Sequence, residues 1–111
     1  MITPTLAQEV SRLEADLCFA LSDPTRILIL YALSERSQNV NELTAALNIT
    51  QPTTSRHLKI LRDRGLVTAN RQGTTITYQL VDNRLIQALD LLRSVLRDSL
   101  VRRASLVEEL D

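Results

Sequence analysis

The 111-residue sequence has one cysteine, Cys18, no tryptophan, two glycines and three prolines. A single thiol excludes an intrachain disulfide framework and a sulfur-only zinc site within one subunit. Few turn residues beside many Leu and Ala point to a mostly helical chain. The aromatics are only Phe19, Tyr31 and Tyr78, so Leu, Ile, Val and Ala must build the core. No apolar run approaches the roughly 20 residues of a membrane span. Met1 to Glu9 lack the basic flank and apolar stretch of a signal peptide, so no membrane partner and a cytoplasmic location are expected. Also missing are a Gly-rich phosphate loop, a metal-ligand cluster and a nucleophile–base constellation. The sole histidine, His57, and Cys18 fall on different predicted helices. An enzyme is therefore not expected, nor a cofactor.

What is present reads as one globular domain over 1–111, large enough to bury a core without disulfides or metal. Net charge is zero, which at first argues against a nucleic-acid partner. Its distribution says otherwise. Residues 51–80 hold Arg56, Lys59, Arg62, Arg64 and Arg71 against Asp63 alone, whereas residues 1–20 hold Arg12 against Glu9, Glu14 and Asp16. One contiguous basic segment is the footprint a phosphate backbone attracts. A solvated helix face would look the same, so charge leaves both readings open.

Spacing supplies the elements. Leu6, Val10, Leu13, Leu17 and Leu21 predict an amphipathic helix over about 5–21. Asp23-Pro24 is a cap followed by a proline at the first helical position, opening a central, nearly all-apolar helix from Thr25 to about Glu35. Ser34 to Asn39 is expected as a loop. A helix-turn-helix follows over about 40–64: Val40 to Leu47, the turn Asn48-Ile49-Thr50, and a second helix over about 51–64 stopped by Gly65. Thr54, Leu58 and Leu61 make its inward stripe, and Pro52, Arg56, Lys59 and Asp63 point outward. The period then becomes two, and a hairpin turning at Gln72-Gly73 occupies about 66–80, the position of a wing. Leu85, Leu89, Leu92, Leu96 and Leu100, with Val107 and Leu110 beyond, predict a last helix over about 82–110 that allows a break near Arg103-Ala104-Ser105. Two leucine faces at opposite ends of so small a domain exceed what its own core can use. A symmetric homodimer through both end helices is expected.

Three segments carry a family resemblance: Leu21-Ser22-Asp23-Pro24-Thr25-Arg26 with its apolar continuation, Gln51-Pro52-Thr53-Thr54-Ser55-Arg56-His57-Leu58-Lys59-Ile60-Leu61, and Gly65-Leu66-Val67 leading to Arg71-Gln72-Gly73 and Ile76-Thr77-Tyr78-Gln79-Leu80. Over about residues 15–98 the chain resembles the ArsR/SmtB-type winged-helix repressors. The resemblance implies an α-α-α-α-β-β-α homodimer that binds double-stranded DNA at a palindromic operator and releases it on binding an inducer, whose identity here is unknown. It also implies that the helix from Gln51 enters the major groove, so Gln51, Thr53, Ser55 and Arg56 are candidate base or phosphate contacts. Residue chemistry agrees, since Gln pairs with adenine, Arg with guanine, and Thr or Ser with several groups. Lys59, Arg62, Arg71 and Gln72 suit phosphates. Thr53 and Ser55 can equally serve the helix N-terminus, and His57 reads as a packing residue.

The sensing half carries over poorly. Metal-sensing members place thiolates in a Cys-Val-Cys-Asp-Leu pattern on the third helix, where this chain has Asn39-Val40-Asn41-Glu42-Leu43. The last helix has Asp82, Asp90 and Asp98 but no histidine, so no metal site is expected. Cys18 remains, either as a small packed residue or as a thiol that meets its symmetry mate in a redox-responsive dimer. Two alternatives thus stand beside the metal-free repressor. One is a metal- or thiol-responsive sensor acting through Cys18; the other is a winged-helix module for protein association, whose recognition helix would be expected to show apolar anchors instead.

Overall fold

The computed structural model describes residues 1–110, the side chain of Leu110 excepted, and so leaves that residue's expected place on the leucine stripe outside the description. α1 spans Pro4–Arg12, capped by Thr3, and runs without a break into a π-helical segment, Leu13–Cys18. No residue of α1 is buried. Burial starts where the π turn ends: Asp16 and Leu17 are half-buried and Ala20 is fully buried. The expected helix over 5–21 is therefore present, but its second half is wound more loosely, a rare form associated with functional sites.

α2 (Pro24–Glu35) begins as the Asp23-Pro24 pair requires, with the Asp23 carboxylate accepting from Thr25 N–H at 2.7 Å. Its Ile29, Leu30 and Leu33 form the centre of the core. α3 (Val40–Leu47) starts on a capping box. Asn39 Oδ1 accepts from Glu42 N–H at 2.8 Å, and Glu42 Oε1 accepts from Asn39 N–H at 3.1 Å. Asn48 ends α3 at φ 54, a left-handed conformation that asparagine tolerates better than most residues. α4 (Gln51–Asp63) follows, capped by Thr50, and Gly65 at φ +82 releases the chain into the wing. Leu43, Leu58 and Leu61 close on α2 from this side.

The wing strands β2 (Val67–Gln72) and β3 (Thr75–Leu80) pair antiparallel, Val67 opposite Leu80 and Gln72 opposite Thr75. Here the structure corrects the expected loop over Ser34 to Asn39. Its last two residues form β1 (Gln38–Asn39), which pairs with Tyr78 and Thr77, making a three-stranded sheet in the order β1-β3-β2. A two-residue strand has no periodicity to read. Its anchor is a side chain: Gln38, 3% exposed, donates from Nε2 to Ala32 O at 2.7 Å.

α5 (Arg84–Leu110) is continuous, so the break allowed near Arg103-Ala104-Ser105 is absent. Ile86 and Leu89 enter the core, and Tyr31 Oη donates to Asp90 at 2.6 Å, fastening α5 to α2. Beyond that turn α5 leaves the domain. No described helix is long and apolar enough to cross a membrane.

Candidate nucleic-acid interface

The turn between α3 and α4 is set by hydroxyls. Thr54, fully buried, donates to Thr50 O at 3.0 Å and accepts from Thr44 Oγ1 at 2.9 Å, which fixes the two helices relative to each other. A buried hydroxyl left without these partners would cost about 1–3 kcal/mol. Thr50 Oγ1 accepts from Thr53 N–H at 3.3 Å and donates to Thr53 Oγ1 at 2.8 Å. With its oxygen already accepting, the Thr53 hydroxyl keeps its own proton to donate outward.

The face of α4 opposite the core carries the expected set. Gln51, Ser55, Arg56 and Arg62 are exposed, Thr53 is half-buried, and Lys59 is exposed while pairing with Asp63 at 3.0 Å. On the wing, Arg71 and Gln72 are exposed beside the Gly73 turn, where φ is +66. Gln51, Ser55, Arg56, Arg62, Arg71 and Gln72 make no side-chain hydrogen bond among the described residues. The N-terminal turn of α4 and the wing also adjoin: Gln51 lines one cleft with Asn41 of α3 and with Thr74 and Thr75. Sequence reasoning passed over Asn41, Thr74 and Thr75, because only the fold places them beside Gln51.

Arg26 was also passed over. It lies in the Asp-Pro-Thr-Arg segment at the start of α2 and, although a cation, is 7% exposed. Its Nε donates to Ala20 O at 2.8 Å and its Nη2 to Phe19 O at 3.2 Å, capping the end of the N-terminal helix. Its Nη1 lies 3.2 Å from His57 Nδ1 on α4. A guanidinium has only donors, so Nδ1 must accept and His57 is neutral with its proton on Nε2. Burial is the main cause that lowers the His57 pKa, with Arg26 and Arg56 adding to it and Asp23 opposing. His57, 5% exposed, is thus held inside the domain, as a packing residue would be.

Cys18 is exposed, so within one chain the packed reading of this thiol does not hold. The third-helix positions that would hold a soft metal do not fit one. Asn39 spends its side-chain oxygen on the capping box, and asparagine supplies no thiolate. Among the described residues no three His, Cys, Asp or Glu side chains gather at a potential metal site.

Comparison with known proteins follows this geometry closely. Residues 23–69 match the model of the bacterial regulatory proteins of the arsR family. Over 78 residues, 70% of this chain, the sequence is 41% identical to the HTH-type transcriptional repressor SmtB of Mycobacterium tuberculosis, of which the match spans 58%. It is 40% identical over 78 residues to the HTH-type transcriptional regulator MJ1325 of Methanocaldococcus jannaschii, covering 69% of this chain and 88% of that one. Among solved structures, the homodimeric winged helix-turn-helix DNA-binding domain of Mb0332 from Mycobacterium bovis superposes with a TM-score of 0.74 at 25% identity, covering 89% of this chain and 91% of the other.

Proposed function

This chain belongs to the arsR family of bacterial regulatory proteins, and on that premise we propose that it is a homodimeric transcriptional repressor that binds a palindromic DNA operator. The observation that carries this reading is the row of uncommitted polar groups on the outer face of α4 beside an uncommitted cationic wing. An interface for protein association would be built around apolar or aromatic anchors, and α4 presents none outward. Gln51, Thr53, Ser55 and Arg56 face base edges in the major groove. Thr53, with its proton free, addresses an acceptor such as thymine O4 or guanine N7. Lys59, Arg62, Arg71 and Gln72 take phosphates.

The homodimer has its own support. Leu92, Val95, Leu96 and Leu100 are 61%, 60%, 59% and 52% exposed on α5, and Leu6, Val10 and Leu13 are 40–51% exposed on the N-terminal helix. Such continuous apolar stripes call for a partner surface, and in a dimer of winged helices they set the spacing of two recognition helices. The Mb0332 domain, similar over nearly its whole length, is homodimeric.

The test is selection of bound sequences from random double-stranded DNA, followed by a salt titration on the winner. Two half-sites about one helical turn apart, with affinity falling steeply with salt, are expected. Failure to bind any DNA at low salt would overturn the reading.

A further inference from the structure

A cleft of about 360 Å³ opens where four parts of the chain meet: the π-helical segment, the end of α4, the residue after β3 and the first turns of α5. Its apolar lining comes from Leu17, Leu66, Val81, Leu85 and Ala88, and the bare backbone of Gly65 forms part of the wall. A Cβ at Gly65 would meet nothing within 4 Å, so this wall faces open space. Val81 is 53% exposed, an unusual state for a valine beside a core. The volume lies within the range of small-molecule sites.

Charge on the rim decides the occupant. Arg64 is held rigidly: Nη1 donates to Ala15 O at 2.8 Å and lies 3.4 Å from Asp16, while its guanidinium stacks on Phe19 at 4.4 Å. Its Nε and Nη2 make no hydrogen bond among the described residues. The two nearby acids are already engaged. Asp82 is bound by Arg84 at 2.7 Å and Asp16 by Arg12 at 2.7 Å. Two carboxylates thus face three guanidinium groups. Arg12 and Arg84 are each 84% exposed, whereas Arg64, 35% exposed and braced by Ala15 and Phe19, lines the cleft as the fixed one with Nε and Nη2 unspent. A fixed guanidinium with two spare N–H groups matches a carboxylate in one plane. A second copy of the chain fits less well, because an apolar helix laid here would cover those donors without satisfying them.

We propose that this cleft binds a small apolar carboxylate, with its hydrocarbon or aromatic body on Leu17, Leu66, Val81 and Leu85 and its anionic group on Arg64. The ligand would sit between the C-terminal end of α4 and the start of α5, so filling the cleft moves the recognition helix against the helix proposed to dimerise. That this movement loosens the grip on an operator rests on the repressor reading; the binding itself does not.

The test uses the full chain without DNA, titrated with naphthoate and with its uncharged analogue naphthamide, and followed by NMR and calorimetry. Saturable naphthoate binding is expected, with shifts at Leu17, Leu66, Val81 and Leu85 spreading into α4, and an affinity at least about tenfold above that of naphthamide. Arg64→Gln should remove that preference. Because Arg64 also braces the N-terminal helix, a second variant is needed. Ala88→Trp fills the cleft from an exposed position and should abolish binding while leaving the thermal transition in place. Equal affinity for the two compounds, shifts that map elsewhere, or unchanged binding to Ala88→Trp would overturn the proposal. So would binding that strengthens only as the protein is diluted to monomer, which would make the cleft a seat for the second copy. In a parallel titration with the selected operator, naphthoate should weaken DNA binding. Absence of any DNA binding beside saturable naphthoate binding would remove the repressor reading and leave the site standing.

Discussion

Leucine does two different jobs in the two regions of this molecule. Between Ala20 and Leu89 the core leucines of α2, α3 and α4 are covered within a single chain: Leu30, Leu43, Leu58 and Leu61 are all 0% exposed, while Leu28 of α2 is turned outward at 52%. On α1 and on α5 beyond Leu89, apolar residues at the same helical spacing are exposed, from 40% at Leu6 to 68% at Leu91. The middle region closes its core within one chain, whereas the ends have amphipathic faces with nothing of their own to cover them. Periodicity reports that a helix has an apolar face; it does not report whose core that face enters. Stability of the middle should therefore be a property of the chain, and stability of the ends a property of its concentration.

Truncating the middle gives the largest expected effect. Leu58→Ala should lower unfolding stability by about 2–5 kcal/mol, the cost of lost burial and a cavity that the closely packed surroundings cannot refill. Urea unfolding should show the same loss at every protein concentration. Leu96→Ala removes the same atoms from the exposed stripe and should leave the stability of dilute protein nearly unchanged. At high concentration it should weaken self-association by about 1.5–3 kcal/mol, the worth of a leucine buried only in the dimer. Sedimentation read beside unfolding separates the two. If Leu96→Ala destabilised dilute protein as much as Leu58→Ala does, the contrast between the regions would collapse.

A smaller effect sharpens the comparison inside the middle region, between α4 and the wing. Arg56→Ala should cost about 1–3 kcal/mol on the selected operator and relax the preference at one base pair. Arg71→Gln should weaken binding to all sequences alike and reduce the salt dependence by about one counterion. Binding curves over a salt series on operator and scrambled DNA distinguish these patterns. A base-specific loss on the wing, or a uniform loss on α4, would exchange their roles.

Most of the fold could be read in advance because its signals are local and strong. Asp23-Pro24 and Thr50 open helices, Gly65 and Asn48 end them, and the period changes from helical to two at the wing. The candidate site was legible as a list of outward polar residues on α4, since Thr54, Leu58 and Leu61 mark the inward side and Gln51, Ser55, Arg56, Lys59 and Arg62 are exposed on the others. What escaped was structure made by single long-range contacts. β1 exists because Gln38 reaches Ala32 O and its backbone meets Tyr78, and no pattern two residues long can announce that. The π turn escaped because Leu13 and Leu17 keep helical spacing while the backbone beneath them widens. Arg26 escaped because burying a cation contradicts every prior for that residue type unless its partners are known. Those partners are two backbone carbonyls, the Ser22 hydroxyl and a histidine 31 positions away.

Arg26 is also where the two regions join, and it gives the smallest of the expected effects. It ties the carbonyls of Phe19 and Ala20, at the end of the N-terminal helix, to His57 on α4, and this requires an unprotonated Nδ1. The folded His57 pKa is lowered from 6.5, chiefly by burial, while the unfolded chain takes up its proton near the ordinary value. The unfolded state therefore binds more protons just below pH 6.5. The contribution of neutral His57 is fully present above that pH and declines as pH falls toward the folded pKa. Urea midpoints measured from pH 7.5 down to 5.5 should drop. His57→Gln keeps an acceptor for Arg26 and cannot titrate, so its midpoints should stay level over the same range. Asp82, held down to about 2 by Arg84, does not interfere, because its own contribution is lost only as pH falls from about 3.8 toward 2. An equal pH slope in His57→Gln would place the titrating group elsewhere. A slope confined to the native histidine would mean that the link between the N-terminal helix and the recognition helix weakens with acid, in a chain whose two regions are otherwise stabilised by different means.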